Sequence, residues 1–413
     1  MPNLLTTYAN ACGLEINDME VHDVFYPLQE GAYITIQGKS SQQTKDYDYL
    51  DEVIDVIYPI LAQNKIRLIQ IGAKDDVALK NCEHLQGKTT IRQALYVVKN
   101  AVAHLGVDSF AAHYAGFLAK PIVVLYGNTD KGVHGPHWQH ALQTRLLESH
   151  RNGRTPSFGQ ESPKTVNFIK VEDFVNAILE IFNVPQKYNR KSLYISENYN
   201  QKMLEYIPNF KLDHSQLPGS NLIVRMDYHF DEANLAHVAE SRNINIFTNK
   251  AINLDLLFKI KGKVNSLNFE VSQAIDPEYI KQLKKTAIKT AYFSREEDPA
   301  TLAKLRLKFF DICPIIQHKN KTYEEFLNDA SNYLNISKEQ LLAEIYNSPN
   351  LLYRSNKFII SEGKVFLSKA AWKANEQAQS FEHNIQPIGK KIVSPDFWEE
   401  FQHFYIFNEP TNS

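Results

Sequence analysis

Residues 105–116, Leu-Gly-Val-Asp-Ser-Phe-Ala-Ala-His-Tyr-Ala-Gly, decide how this chain is expected to fold. The apolar run before Asp108 is typical of a buried strand, and the alanine-rich run after Ser109 is typical of a closely packed helix. We expect Asp108 to cap that helix and Ser109 to begin it. The free amides of residues 109–111 and the positive end of the helix dipole would then form an anion site that His113 can reach.

This segment has two interpretations. A diphosphate would fit at the start of the helix, because unpaired amides and the helix dipole both favour an anion there. Alternatively, the segment is only a capped helix that packs closely on the sheet and carries a core histidine. The residues by themselves leave both interpretations open.

The sequence on either side of this segment alternates between predicted strands and predicted helices. Strands are predicted at 32–37, 65–71, 101–107 and 121–126, and helices at 48–62, 91–99 and 172–182. This alternation predicts a parallel sheet covered on both faces, with ligands outside the carboxyl ends of the strands. Those ends are Gly38, Gly72, Asp108 and Gly127, and 12 of the 16 glycines of the chain precede residue 160.

A second alternation follows a polar, proline-containing stretch at 184–220. Strands are predicted at 222–226, 244–247, 266–270 and 288–293, and helices at 233–241, 252–260, 277–285 and 298–308. Further on, we expect two helices within 322–346, the second capped by Ser337 with Gln340, and a hairpin at 358–367. The predicted fold is therefore α/β, with Rossmann-like domains at 1–183 and 221–316, a linker at 184–220, and a helical and hairpin extension at 317–413.

Composition excludes several classes of protein. The 413 residues include 45 Lys and Arg against 47 Asp and Glu, which argues against bare nucleic acid or an anionic membrane as the main partner. No apolar run approaches the ~20 residues that span a bilayer, and no secretory leader is visible, so we expect a cytoplasmic protein without integral membrane contact. The three cysteines show no paired spacing, which predicts neither a disulfide framework nor a cysteine metal site.

The string Gly-Val-Asp-Ser-x-x-x-His-x-Ala, followed by Lys-Pro, a strand and Gly-x-Thr, resembles a known family. It is similar to the donor-binding half of the heptosyltransferase-like glycosyltransferases, glycosyltransferase family 9, over residues 1–183. The resemblance implies a GT-B-like fold with two Rossmann-like domains. It also implies a hexosyl or heptosyl transferase that uses a nucleotide-diphosphate sugar as donor, with no metal and no further cofactor.

The resemblance also implies which residues bind the donor. In that family the diphosphate lies on the helix after Asp-Ser, and a lysine of the first loop neutralises phosphate charge. The implied donor-site residues are Gln37, Gly38, Lys45, Gly72, Asp108, Ser109, His113, Gly127, Asn128 and Thr129. Lys39 competes with Lys45 for the phosphate-binding role.

The sequence departs from the family pattern at two places. Phe110 occupies a position where the family usually has glycine. The family also places an acceptor-binding domain before the donor domain, whereas only about 30 residues precede the first predicted strand here. That domain is either missing or replaced by the second α/β domain in a rearranged order. In a rearranged order, Asp227 and His229 follow a strand and could supply the catalytic base; alternatively, Asp227 caps the next helix and His229 lies on the surface.

The run from His134 to His140 contains three histidines at spacings of three residues, which invites a zinc interpretation. Glycine and proline interrupt the run and no acidic residue completes a ligand set, so we predict no metal site. His137 or Trp138 could instead stack near a nucleotide, or the run could be a packed loop.

The sequence therefore predicts a glycosyltransferase that acts on a hydroxyl acceptor. A glycan, a lipid-linked sugar, a protein and a modified nucleic-acid base all remain open as acceptors. A non-catalytic glycosyltransferase-like binding or assembly protein and a nucleotide-sugar epimerase are the alternatives. Strings typical of dinucleotide oxidoreductases, P-loop enzymes and nucleophile-elbow hydrolases are absent from the sequence.

Overall fold

The computed structural model describes residues 2–16, 20–138, 142–161, 164–195, 203–213, 217, 221–346, 350–378 and 386–408. The chain divides into two compact units. The first comprises Met1–Glu197 with Phe407–Ser413, and the second comprises Asn198–Ile406.

The first unit is built on a six-stranded parallel sheet in the order β3-β2-β1-β4-β5-β6. Its strands are β1 (Tyr33–Gln37), β2 (Arg67–Gln70), β3 (Glu83–His84), β4 (Ala103–Val107), β5 (Ile122–Tyr126) and β6 (Thr144–Glu148). Every residue of β1, β4 and β5 is buried, as expected for strands with both faces covered by helices. The strand order reverses between β1 and β4, which is where ligands bind in open sheets of this kind.

The described residues of this unit form six α-helices: α1 (Leu4–Ala11), α2 (Leu50–Gln63), α3 (Ile91–Asn100), α4 (Phe110–Phe117), α5 (Lys131–His134) and α6 (Val171–Ile181). The predicted helices of this region are confirmed as α2, α3, α4 and α6. Helix α1 and strand β6 were not predicted, because α1 has no buried residue and β6 is only half-buried along its length. A further strand, β7 (Lys191–Ile195), follows α6.

The second unit contains an eight-stranded sheet in the order β13-β12-β11-β10-β9-β8-β15-β16. These strands are β8 (Met203–Tyr206), β9 (Asn221–Arg225), β10 (Ile244–Thr248), β11 (Val264–Glu270), β12 (Thr290–Ser294), β13 (Ile316–Gln317), β15 (Lys357–Ser361) and β16 (Lys364–Phe366). All neighbouring pairs are parallel except β15 and β16. The intervening helices are α7 (Glu232–Ser241), α8 (Leu254–Ile260), α9 (Pro277–Lys285) and α10 (Pro299–Lys308). A parallel sheet and a mostly parallel sheet, each with alternating helices, confirm the α/β prediction.

The structure differs from the prediction around the second sheet. Strand β8 lies within 184–220, the stretch predicted as a linker, yet it pairs with β9 and β15 inside the sheet. The hairpin predicted as part of an extension joins the same sheet through β15. Its turn is at Glu362 and Gly363, whose φ angles of 51° and 72° are those of a tight two-residue hairpin turn.

The remaining elements of the second unit are mostly short. They are α11 (Tyr323–Leu334), α12 (Lys338–Tyr346), β14 (Leu351–Ser355), α13 (Lys369–Lys373), β17 (Gln386–Pro387) and α14 (Pro395–Trp398). Strand β18 (Phe404–Asn408) begins in the second unit, and its last two residues belong to the first. The predicted cap of α12 is confirmed, because Ser337 Oγ accepts from the Gln340 amide at 3.1 Å and Gln340 Oε1 accepts from the Ser337 amide. In the described part of the chain, every helix is too short or too polar to cross a lipid bilayer.

Candidate functional site

The carboxyl ends of β1 and β4 meet where the strand order of the first unit reverses. Gln37 ends β1, and its Oε1 accepts a hydrogen bond of 2.8 Å from Ser109 Oγ, just after β4. The two strands approach closely here, because a Cβ on Gly106 would lie 2.3 Å from the Gln37 carbonyl oxygen. Glycine at 106 therefore permits the backbone spacing that brings Gln37 and Ser109 together.

Asp108 is the central residue of this site. Its buried carboxylate accepts from Lys45 Nζ at 2.7 Å and from Thr129 Oγ1 at 2.9 Å, and His113 Nε2 lies 3.7 Å from Oδ1. Burial raises the pKa of Asp108, but the interactions with His113, Lys45 and Thr129 outweigh burial and hold the pKa below its usual value. Asp108 is therefore an ionised acceptor at neutral pH.

The predicted cap of α4 was wrong. Ser109, not Asp108, is the N-cap residue, and the helix begins at Phe110. The Ser109 hydroxyl is bonded to Gln37 and makes no capping hydrogen bond. The Ser109 side chain therefore makes no hydrogen bond to the first-turn amides of α4, because it is bonded to Gln37. The Asp108 carboxylate accepts instead from Lys45 and Thr129.

The two candidate lysines occupy different places. Lys45 ends a short 3-10 turn, Gln43–Lys45, and is largely buried beside Asp108. Lys39 is more exposed, and its Nζ lies 4.0 Å from Asp46 Oδ2. Lys45 is therefore in the centre of the site, whereas Lys39 contributes to the wall of a neighbouring cavity.

This first cavity has a volume of about 340 Å³ and opens beside the start of α4. Its walls include Gln37, Lys39, Gly72, Asp76 and Phe110. Phe110 is 40% exposed and forms one wall. Gly72 has a φ of 154°, and a Cβ there would lie 2.1 Å from Asp76 Oδ2, so glycine is required for this turn.

The other predicted residues shape the loops around the site. Asn128 is fully buried, and its Nδ2 donates to Thr44 Oγ1 at 3.2 Å and to the Gly159 carbonyl at 2.9 Å. A Cβ on Gly127 would lie 2.5 Å from the Val166 amide nitrogen, and one on Gly38 would lie 2.1 Å from Leu50 Cδ1. Asn128 and Gly127 therefore hold backbone segments close together, and Gly38 leaves room for the Leu50 side chain. Of the last loop, Gly127–Thr129, only Thr129 reaches Asp108.

The histidine run lies beside a second cavity. His134, His137 and Trp138 line a volume of about 320 Å³ together with His113 and residues of α1. The described residues contain no cluster of His, Cys, Asp and Glu that could hold a metal ion, and His140 lies outside the described residues.

The two residues predicted as a base in the second unit have contrasting environments. Both Asp227 oxygens accept from Arg225 at 2.8 Å, and Arg295 Nη2 lies 3.7 Å from Oδ2. The Asp227 side chain is only 3% exposed. Asp227 does not cap the next helix, because Asp231 is the N-cap of α7. His229 is exposed, as the surface interpretation predicts.

Asp227 belongs to a buried ionic cluster that the sequence did not reveal. Arg225 also donates to Glu205 at 2.8 Å, and Glu205 accepts from Lys357 Nζ at 3.1 Å. Lys357 Nζ lies 3.2 Å from Glu400 Oε1. These residues come from four distant segments, so no local sequence pattern could have indicated the cluster.

One comparison with known proteins places a family match within the first unit. Residues 13–165 match the family model of glycosyltransferase family 9 (heptosyltransferase). No curated protein matches the chain.

Solved structures of three such proteins are similar to part of the chain. One is the ADP-heptose lps heptosyltransferase II of E. coli, with 17% identity, coverage of 43% of this chain and 51% of that chain, and a TM-score of 0.30. A family 9 glycosyltransferase from Veillonella parvula DSM 2008 has 16% identity, coverage of 44% and 51%, and a TM-score of 0.30. The dodecameric iron-containing heptosyltransferase TibC of enterotoxigenic E. coli, in complex with ADP-D-beta-D-heptose, has 14% identity, coverage of 42% and 51%, and a TM-score of 0.33.

The chain thus spans about half the length of the solved structures it matches. The matched residues lie entirely within the first unit and include Lys45, Asp108, His113 and Thr129. The family match therefore confirms the resemblance of the first half of this chain to the donor-binding half of glycosyltransferase family 9.

Proposed function

We propose that this protein is a glycosyltransferase that moves a hexose or heptose from a nucleotide-diphosphate sugar to a hydroxyl group. The observation that carries the proposal is the pairing of Lys45 with Asp108 at the start of α4, within the residues that match family 9. It lies where the strand order reverses, which is the usual ligand position in such sheets.

In this proposal the donor diphosphate lies on the first-turn amides of α4. Those amides and the helix dipole attract an anion, and Lys45 is close enough to exchange its contact with Asp108 for a phosphate oxygen. Negative charge develops on the diphosphate as the sugar leaves. A fixed ammonium and fixed amides stabilise that charge in the transition state, so the proposal requires no metal ion.

The nucleoside is proposed to enter the first cavity. The volume of about 340 Å³ lies in the range of small-ligand pockets, and the half-exposed Phe110 ring offers an aromatic face for a base. Ser41, Thr90 and Asp76 line the same cavity and can meet polar atoms of a ribose. Phe110 in place of the family's glycine is therefore compatible with a bound nucleotide.

A cytoplasmic location is part of the proposal. Cys12, Cys82 and Cys313 are all free thiols, which suits a reducing compartment. The acceptor is proposed to be a glycan, a lipid-linked sugar, a protein or a modified base that carries a free hydroxyl.

A second candidate function is a non-catalytic binding or assembly protein. The contacts of Asp227 favour this non-catalytic function. Both of its carboxylate oxygens accept hydrogen bonds from Arg225, so Asp227 is poorly placed to take a proton from an acceptor. We therefore do not assign the catalytic base to Asp227.

Isothermal titration with ADP, GDP, UDP and their sugars tests the donor site. We expect at least one nucleotide to bind, and Lys45→Ala to weaken that binding at least tenfold through loss of the ammonium. Lys99→Ala is the matched control, because Lys99 is an exposed lysine of the same unit that pairs with Asp23. Absence of binding by all three nucleotides, or equal binding by Lys45→Ala, would overturn the proposal. Release of free nucleotide and transfer of sugar, followed by product analysis, separates the enzyme from the non-catalytic alternative.

A further inference from the structure

We propose that the second cavity holds the acceptor, that the bound part of the acceptor is an apolar or aromatic ring carrying the hydroxyl, and that His113 takes the hydroxyl proton. This inference rests on the proposed donor site and adds the acceptor class and the base. The cavity of about 320 Å³ lies between α1 and residues 133–138.

Helix α1 forms one wall of this cavity and is attached to the opposite wall. Asn3 Nδ2 donates to the Gly135 carbonyl at 2.9 Å, and Thr6 Oγ1 lies 3.3 Å from His137 Nδ1. None of the eight residues of α1 is buried, so its apolar side chains have not been used in a core. Leu5 and Tyr8 line the cavity and remain 39% and 63% exposed. Since α1 precedes the residues that match family 9, this wall is an addition to the matched region.

His113 connects this cavity to the proposed donor site. It lies one turn into α4, and helical side chains lean toward the N-terminus of the helix, where the diphosphate is proposed to bind. Its Nε2 is 3.7 Å from Asp108 Oδ1, and the same ring lines the cavity. A histidine oriented by an ionised carboxylate is a common general base, because the carboxylate stabilises the imidazolium that forms.

The lining of the cavity favours one class of acceptor. Leu4, Leu5, Tyr8, Val133 and Trp138 present mainly apolar surface. A sugar ring with hydroxyls on every face would leave several of them without partners against such walls, at a cost in binding free energy. A ring with a single hydroxyl avoids that cost.

A second histidine also belongs to the wall of the cavity. His134 also lines the cavity, and its buried Nδ1 has no hydrogen-bond partner among the residues that the structure describes. That nitrogen is enclosed by the protein, so the base assignment rests on His113 and not on His134.

The transfer step balances with the groups already named. The acceptor oxygen gives its proton to a ring nitrogen of His113 and bonds to the anomeric carbon of the donor. The bond between that carbon and the diphosphate oxygen breaks, and its electron pair leaves on the nucleoside diphosphate. Lys45 and the amides of α4 receive the resulting negative charge.

Titration calorimetry with 4-methylphenol and methyl glucoside tests the cavity directly, without any nucleotide. We expect 4-methylphenol to bind and methyl glucoside not to bind. Leu5→Trp fills the cavity from an exposed helix and should weaken 4-methylphenol at least tenfold, whereas Val102→Trp, at an exposed position elsewhere in the unit, should not. Failure of 4-methylphenol to bind, equal binding by Leu5→Trp, or preferential binding of the glucoside would overturn the acceptor assignment.

Turnover tests the base. With saturating 4-methylphenol and a saturating nucleotide sugar that binds, His113→Gln should lower turnover by about 100-fold, as loss of a general base does. Transfer by this variant at the wild-type turnover would overturn the role of His113. Binding of 4-methylphenol without binding of any nucleotide would refute the donor site and leave the cavity assignment standing. Binding of a nucleotide without binding of 4-methylphenol would refute the cavity assignment and leave the donor site standing.

Discussion

The Lys45 ammonium lies 2.7 Å from Oδ2 of Asp108, and both side chains are largely buried at the carboxyl end of the first sheet. The two residues are 63 positions apart in the chain, so the contact joins the loop after β1 to the end of β4. Removing either side chain would leave the other as an unpaired buried charge, which strongly destabilises a folded protein. The pair therefore stabilises the fold and also keeps an ammonium beside the start of α4.

Replacing Asp108 should destabilise the protein. Asp108→Asn removes the charge that faces Lys45 and weakens the hydrogen bond from Thr129, so we expect the free energy of unfolding to fall by roughly 1–3 kcal/mol. Chemical denaturation at neutral pH measures the change. Asp75→Asn, at an exposed aspartate of the same unit, should change it by less than about 0.5 kcal/mol. Equal stability of Asp108→Asn and the wild type would contradict the buried pairing.

Gly106 should not tolerate a side chain. The Cβ of Gly106→Ala would lie 2.3 Å from the Gln37 carbonyl oxygen, so β1 and β4 would have to separate. Overpacking of this kind typically costs about 1–3 kcal/mol, which thermal or chemical denaturation would detect. Gly159→Ala is the matched control, because its nearest contact would be at 3.8 Å. An unchanged midpoint for Gly106→Ala would show that the strands can adjust.

Phe110 should contribute to nucleotide binding if the base stacks on its ring. Phe110→Ala removes the aromatic wall of the first cavity, and stacking of a base on an aromatic side chain is worth about 1–3 kcal/mol. We expect the affinity for the nucleotide that binds to fall roughly tenfold, measured by calorimetry. Val77→Ala changes another exposed apolar residue and should leave the affinity unchanged. Tighter binding by Phe110→Ala would mean that the ring obstructs the nucleotide.

The buried cluster of the second unit should make stability depend on pH through Glu400. Burial raises the pKa of Glu400 to about 7 from the ordinary 4.5, although the Lys357 ammonium lowers it. Since the folded state binds this proton more tightly, the contribution is fully present below pH 4.5 and is lost as the pH rises through 7. The stability of the wild type relative to Glu400→Gln should therefore fall by roughly 2 kcal/mol between pH 5 and pH 8.

Denaturation series at several pH values would measure that difference. Glu399→Gln is the adjacent control, because Glu399 is largely exposed and pairs with Lys369 at 3.0 Å. We expect its stability to parallel that of the wild type over the same range. A constant difference between wild type and Glu400→Gln would refute the assignment of a raised pKa to Glu400.

The sequence predicted the elements around Asp108 because their signals are local. Apolar runs, glycines at strand ends and alanine-rich helical spacing all lie within a few residues of one another. The cap of α4 was misassigned because local signals alone do not decide it. Asp108 and Ser109 are both good N-cap residues, and only the positions of Lys45 and Gln37, far away in the chain, decide which side chain turns away from the helix.

The candidate base in the second unit illustrates the limit of strand-end arguments. Asp227 does follow a strand, as predicted, but Arg225 lies two residues earlier and folds back onto both oxygens. Glu205 on β8 binds the same arginine, and Arg295, just after β12, lies 3.7 Å from Asp227. Side-chain partners that come from separate strands cannot be inferred from one segment, so the sequence located the position of Asp227 but not its chemistry.

The position of Glu400 near the end of the second unit affects when that unit can finish folding during translation. Glu205 and Lys357 leave the ribosome well before Glu400 does, yet Lys357 has its two acidic neighbours only after residue 400 has docked. Until then, the nascent unit must keep that ammonium hydrated or bury it beside a single carboxylate. The hydrophobic core around strand β15 is therefore expected to close late, and a polypeptide cut short before residue 400 should be a ready substrate for proteases.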